Sequence, residues 1–271
     1  MSRIDQAIEK AARLREQRSP EKAHKEPPAG RPVAETPSTP ARVVDVSCVS
    51  PFIVALNDQG SAVAEEYRKL KSIIVGLTTG AEEFRNTILV TSSIGSEGKS
   101  ITSLNLAVTL SRDYDFTVLL IDTDLRRPSL NKYLNLEGEP GITDCLLDGL
   151  DLSKALIRTN LGKLSFLPAG RKIDNPAELL SSQKMKDFIA GVKQRYPDRY
   201  VIIDAPPILP FAESLSLSAS VDGVLFVVRE RAASVKHVGE ALNLLRGSNL
   251  LGIVYNGAET EMSQHYSYYN Y

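Results

Sequence analysis

Six short runs of nearly uninterrupted apolar residues constrain the fold of this chain more than any other feature: NTILVTS (86–92), FTVLLID (116–122), LSFLP (164–168), YVIID (200–204), GVLFVVR (223–229) and LGIVYN (251–256). Such runs, without polar alternation, suit strands buried on both faces, which is the condition of a parallel sheet. Helical stretches separate most of them, notably 99–113, 176–194 and 233–246. Parallel neighbours need long crossovers, and helices supply them. The expected fold is α/β: a doubly wound, mostly parallel sheet over residues 42–258.

Both ends differ from this body. Within residues 1–17, Ile4, Ala7, Ala11 and Leu14 make one apolar stripe of a short amphipathic helix. So short a helix is marginal alone, so it either frays in solvent or orders on a partner. Residues 18–41 hold six of the fifteen prolines and few large apolar groups, as in an extended linker. Residues 259–271 lack apolar periodicity and read as a flexible tail. That tail ends QHYSYYNY, so tyrosine fills four of the last six positions: Tyr266, Tyr268, Tyr269 and Tyr271. Flexible tails are usually poor in aromatics, so this cluster needs a cause.

Composition removes some functions. A net charge of −1 gives no overall field toward nucleic acid or anionic membrane. The two cysteines, Cys48 and Cys145, have no metal or redox spacing. The start MSRIDQAIEK lacks the apolar core of a secretory signal, and no apolar run reaches the ~18 residues of a membrane span. A cytoplasmic location is expected.

The chemistry clusters at strand ends. The first run leads into SSIGSEGKSI, in which Gly95, Ser96, Glu97, Gly98, Lys99, Ser100 and Ile101 form a phosphate-binding loop that opens a helix. A helix N-terminus offers unpaired N–H groups and a positive dipole end to an anion. Lys99 is placed to reach the outer phosphates of ATP and Ser100 to ligate Mg²⁺. The motif's usual first glycine is Ser93 here. The next run ends LLIDTDLRRP. Asp122 and Asp124, two apart on a strand, share a face at the edge where open α/β sheets bind ligands. Asp204 ends YVIID, a Walker B pattern. Metal-assisted phosphoryl transfer needs carboxylates to organise Mg²⁺ and one to accept the nucleophile's proton. Asn256 ends the last run and either reads an adenine edge or serves a turn. Arg126 and Arg127 either steady the transferring group or pack.

SSIGSEGKS, VLLIDTDLRRP and VIIDAPPI together resemble the Walker A, A′ and B motifs of bacterial tyrosine kinases, the P-loop autokinases of capsule and exopolysaccharide loci. The likeness runs over about residues 50–271 and includes AGRKIDNPAELLSS and the tyrosine-rich tail. The opening and the proline linker resemble the soluble subgroup of exosortase-linked loci. The resemblance implies a P-loop NTPase fold of Min/Par type and an ATP- and Mg²⁺-dependent protein-tyrosine autokinase. In that reading Asp122 is the first choice of proton acceptor, Asp124 and Asp204 organise the metal, and the four tail tyrosines are modified in trans. It implies a ring built through a Glu-x-x-Arg-x-x-Arg helix, here Glu65, Arg68 and Lys71. Lysine does not replace arginine in a bidentate contact. It also implies recruitment to the membrane by a chain-length determinant protein, an opposing phosphatase, and no nucleic acid. Min and Par relatives carry a lysine where this chain has Ile94, which favours the kinase branch. A positioning ATPase of Min/Par type is the alternative, and a nucleotide-sensing adaptor without turnover a third.

Overall fold

The computed structural model describes residues 43–46, 50–80, 84–195 and 198–258. The expected N-terminal helix, the proline linker and the tyrosine tail lie outside the described residues. In chain order the strands are β1 (Val43–Val44), β2 (Thr87–Ser92), β3 (Thr117–Asp122), β4 (Ile157–Thr159), β5 (Leu164–Leu167), β6 (Arg199–Asp204), β7 (Gly223–Arg229) and β8 (Leu250–Asn256). The helices are α1 (Val54–Asn57), α2 (Ala62–Thr79), α3 (Lys99–Ser111), α4 (Leu130–Tyr133), α5 (Ile142–Asp148), α6 (Leu152–Ala155), α7 (Pro176–Ser181), α8 (Gln183–Arg195), α9 (Glu213–Ser218) and α10 (Val235–Leu244).

The strands form one sheet in the order β1-β4-β5-β3-β6-β2-β7-β8. Every pairing is parallel except β4 with β5. Strand alternation divides the core into two layers. Ile88, Val90, Val118, Leu120 and Ile202 face one side, where they meet Ile74 of α2 and Leu104, Leu106 and Leu110 of α3. Leu89, Leu119, Ile121, Val201 and Ile203 face the other, against Leu179, Met185, Ile189, Leu217 and Ala241. Helix α3 is buried throughout except at Ile101. Two of its buried hydroxyls, Ser103 and Thr109, donate to carbonyls one turn back, at 2.8 and 2.7 Å.

The six apolar runs are the six strands expected, with three local differences. The run at 251–256 is not buried on both faces: Ile253 is 50% and Tyr255 60% exposed. Among the described residues β8 stands last in the sheet with only β7 beside it, and part of its outer face is exposed. The helix expected over 176–194 is two helices. Ser182 between them is extended (ψ 158°), and its hydroxyl accepts from the N–H of Met185 at 3.3 Å, so it caps α8. Strands β1 and β4, of two and three residues, are too short to show a period.

The topology creates the site. From β2 the chain crosses β6 to reach β3, and from β6 it crosses β2 to reach β7. The crevice opens at the C-terminal end of β2, where connections leave in opposite directions. Asp122 and Asp204 lie side by side there, paired in register at the ends of β3 and β6.

Candidate active site

The loop Ser93–Gly98 joins β2 to α3. Ser96 and Gly98 both take positive φ, 65° and 91°. Gly98 needs glycine twice over, since a Cβ there would lie 2.0 Å from Asn256 Nδ2. Glu97 turns its side chain inward and is fully buried. Its Oε2 accepts from Ser93 Oγ at 2.7 Å and from the Ile94 N–H at 2.8 Å. Ser93, which stands where the motif usually has glycine, therefore forms part of the loop's internal bracing. Asn256 Nδ2 donates to the Glu97 carbonyl at 2.9 Å, and Arg229 reaches the Ser96 carbonyl at 3.4 Å. The ends of β7 and β8 thus hold the loop from outside.

Lys99 is the first residue of α3. Its Nζ donates to Asp124 Oδ2 at 2.7 Å and to Ser100 Oγ at 3.2 Å, and lies 3.8 Å from Asp204 Oδ2. Burial acts to lower its proton affinity, but Asp204 and Asp124 outweigh it, so the ammonium is held above its ordinary pKa. Asp204 accepts from Ser103 Oγ at 3.0 Å through Oδ1. Its Oδ2 is buried without a hydrogen-bond partner, and burial first of all raises the carboxyl's pKa. Asp122 is fully buried. Its Oδ1 accepts from the Asp124 N–H at 3.1 Å and its Oδ2 from the Leu130 N–H at 3.2 Å. Burial, then the charge of Asp204, push it well above the usual carboxylate range, while Lys99 pulls the other way.

A cavity of about 880 Å³ opens over this group. Of the expected residues, Gly95, Ser96, Gly98, Lys99, Ser100, Ile101, Asp124 and Asn256 line it. Asp122, Asp204 and the Glu97 carboxylate sit behind the wall. On one side the wall is aromatic, with Phe52, Tyr67 and Tyr133; Phe52 and Tyr133 meet edge to face, 6.4 Å between centroids. On another side are Pro210, Phe211 and Arg127. Arg126 behaves differently from its neighbour: its Nε donates to buried Glu213 at 2.6 Å, and its guanidinium lies 4.6 Å over the Phe211 ring.

The donor set fits a nucleotide with Mg²⁺. An unmet, buried oxygen on Asp204 next to Ser100 and Lys99 is what a hydrated cation and its phosphates would satisfy. Among the described residues no three acidic, histidine or cysteine side chains converge into a cage for a metal by themselves. Mg²⁺ is ordinarily held by one or two protein oxygens with phosphates and water, so a cage is not needed.

The proposed interface residues lie on α2, which lends Val63 and Tyr67 to the cavity wall, but they do not line the cavity themselves. Arg68 Nε donates to Glu65 at 2.6 Å, one turn back on the same helix. Lys71 donates to Asp113 at 3.0 Å, just past the end of α3. Both basic side chains thus have partners within the chain. Sequence reasoning did not find the Ser93–Glu97 brace, the Glu213 anchor or the aromatic wall. An acid four residues after a polar loop residue was the only signal for the first. The other two depend on residues brought together from distant parts of the chain.

A family model described as an AAA domain matches residues 85–247. The chain is 34% identical over 223 residues to the tyrosine-protein kinase YwqD of Bacillus subtilis, covering 80% of this chain and 90% of that one. It is 30% identical over 220 residues to the tyrosine-protein kinase etk of Escherichia coli, covering 80% of this chain but only 30% of that longer one. The solved kinase domain of E. coli ETK superposes with a TM-score of 0.71 at 26% identity, over 79% of this chain and 82% of that structure. The septum site-determining protein MinD of Pyrococcus horikoshii, solved with Mg-ADP, superposes at 0.55 and 22% identity over 65% and 72%, a likeness of fold alone. With the identity and coverage shared with YwqD, and the Walker residues gathered at one sheet edge, the chain belongs to the bacterial tyrosine-protein kinases.

Proposed function

We propose that this chain transfers the terminal phosphoryl group of ATP to tyrosine hydroxyls, first those of Tyr266, Tyr268, Tyr269 and Tyr271 on a sister chain, and that the reaction regulates exopolysaccharide synthesis or export. The observation that carries the reading is Lys99, held against Asp124 at the start of α3 and on the wall of an open cavity. Family membership and the tyrosines at 266–271 supply the acceptor. The bond from the terminal phosphorus to the ADP oxygen breaks, a bond to the tyrosine oxygen forms, and the phenolic proton passes to a carboxylate. A phenol with pKa ~10 needs that acceptor at neutral pH.

The chain's own residues divide this work. Amides at the start of α3 and Lys99 bind phosphate oxygens, and in doing so Lys99 leaves Asp124 free on the cavity wall. Ser100 and Asp204 hold Mg²⁺, which when bound neutralises charge on the phosphates. Asp122 and Asp124 accept the proton as a pair: Asp124 faces the cavity, and Asp122, whose proton affinity burial raises, fixes it from behind through the Asp124 N–H. Asn256 serves the loop by tying the Glu97 carbonyl. Beyond the single chain the reading includes a ring of copies through Glu65, Arg68 and Lys71, a membrane-embedded chain-length determinant protein as activator, an opposing phosphatase, and a cytoplasmic location. Among the described residues no helix is long and apolar enough to cross a membrane, which accords with recruitment by a partner.

The test is incubation of protein from a kinase-free host with ATP and Mg²⁺, followed by mass spectrometry of the tail. Successive additions of ~80 Da, the mass of a phosphoryl group, on residues 266–271 are expected, and their loss in Lys99→Ala. Release of inorganic phosphate that persists after deletion of residues 261–271, with no phosphotyrosine formed even beside the activator's cytoplasmic segment, would replace the kinase by a Min/Par-type positioning ATPase.

A further inference from the structure

Two adjacent arginines leave the end of β3 and present themselves differently. Arg126 is 38% exposed by side chain yet aimed, with Nε on Glu213 and its plane against Phe211. Glu213 is fully buried by side chain, so Arg126 cannot swing away without stranding a buried carboxylate. Arg127 is exposed, lines the cavity, and donates its backbone N–H to Asp124 Oδ1 at 3.1 Å. Among the described residues its guanidinium has no acidic partner. The other two cations of the cavity wall are engaged, Lys99 by Asp124 and Arg229 by the Ser96 carbonyl. The cavity wall therefore carries one guanidinium with donors to spare, that of Arg127 beside Asp124, while Arg126 stands off the wall with its remaining donors next to Phe211, which is on it.

The segment that must enter this mouth has complementary charge. Residues 258–271 contain Glu259 and Glu261 and no lysine or arginine. Every phosphate added there brings a further −1.5 to −2 charges and three acceptor oxygens, roughly. Guanidinium pairs with both carboxylate and phosphate through two parallel hydrogen bonds. The five residues from Glu261 to Tyr266 span at most about 17 Å when extended, so an acid and a phenol of one tail can reach two points of one cavity.

We infer that Arg126 and Arg127 form a docking site for the anionic flank of the acceptor tail of a second copy of this chain, binding Glu259 and Glu261 before modification and phosphotyrosine afterwards. The inference rests on the kinase reading and adds the basis of its substrate choice. A tail carrying one phosphate is a better substrate than an unmodified tail, so the four tyrosines are filled in bursts.

The test uses the full-length protein and synthetic peptides of residues 258–271. Glu259→Gln with Glu261→Gln in the peptide is expected to raise its KM about three- to tenfold, the scale of two exposed ion pairs, with kcat and the KM for ATP unchanged. Arg127→Gln in the enzyme raises KM for the acidic peptide by a similar factor and leaves the neutral peptide unaffected. The joint change Arg126→Gln with Glu213→Gln, which strands no buried charge, acts in the same direction. A peptide already phosphorylated at Tyr269 binds more tightly than the plain one, and the advantage shrinks in 0.5 M salt, where screening shortens to a few ångströms, about 4. Equal KM for acidic and neutral peptides overturns the inference, as does an Arg127→Gln enzyme whose ATP KM rises while its peptide KM stays put. If no peptide is phosphorylated by the unaltered protein, the kinase reading fails first and takes the inference with it.

Discussion

Asp122 carries opposite consequences for stability and for activity. Its carboxyl lies well above the ordinary value of 3.8, because burial and the Asp204 charge disfavour ionisation. The folded state therefore holds this proton more tightly than the unfolded chain. The stability it contributes is fully present below pH 3.8 and is lost as pH rises through the raised value. Proton acceptance needs the ionised form, so tail phosphorylation should fall as pH drops through that same window. Asp122→Asn should remove this acid limb and lower the rate by about 10²–10⁴. It should also reduce the loss of Tm on going from acid to neutral pH, a second readout measured by calorimetry without ATP. An unchanged limb in the variant assigns the titration elsewhere. At this scale the loop lysine and the strand-end aspartates were legible because motif spacing is local. The orientation of Glu97 was not, since an acid within a phosphate loop reads as cavity-facing until its partners, Ser93 and the Ile94 N–H, are in place.

Helix α2 is seated by one side chain of β6. Tyr200 is fully buried, stands edge to face with Phe84 and Phe116 at 4.9 and 5.0 Å, and shares a 2.6 Å hydrogen bond with Thr78. Tyr200→Ala should cost about 3–5 kcal/mol in urea unfolding through the cavity it leaves. Tyr200→Phe should cost only about 1 kcal/mol, because Thr78 still donates to the Ile74 carbonyl. Near-equal losses for the two variants would mean the hydroxyl, rather than the ring, seats the helix. Element types were readable where a run was long. Over 176–194 the helical period continues across Ser182, and nothing in that period says that the backbone turns there. For β8 the composition matched an interior strand, while its edge position is a property of strand order.

For the whole molecule, charge is the quantity that the reaction changes. The chain starts at −1, and four phosphates would bring it to roughly −8. Concentrated on the last residues of each copy, four phosphates exceed what the two arginines of one docking site can neutralise, and the surplus charge should loosen any assembly that brings tails together. Native mass spectrometry should give a multimer for the unphosphorylated protein and monomer after ATP. Arg68→Glu should give monomer in both states if α2 is the contact, and an unaltered mass in that variant would remove α2 from the interface. Lys71 bears on this too, since its pairing with Asp113 must be exchanged for any contact with a neighbour. By itself the sequence determined the α/β class, the phosphate loop, the acidic strand ends and the family resemblance. Each of these is written in runs of about ten residues, where backbone geometry alone relates neighbours. Only the tertiary structure decided that Asp124 faces the cavity while Asp122 and Asp204 stand behind it, that Arg126 is anchored and Arg127 is not, and that β8 is an edge. Those facts depend on which strands lie side by side, and strand order follows from the packing of both core layers at once.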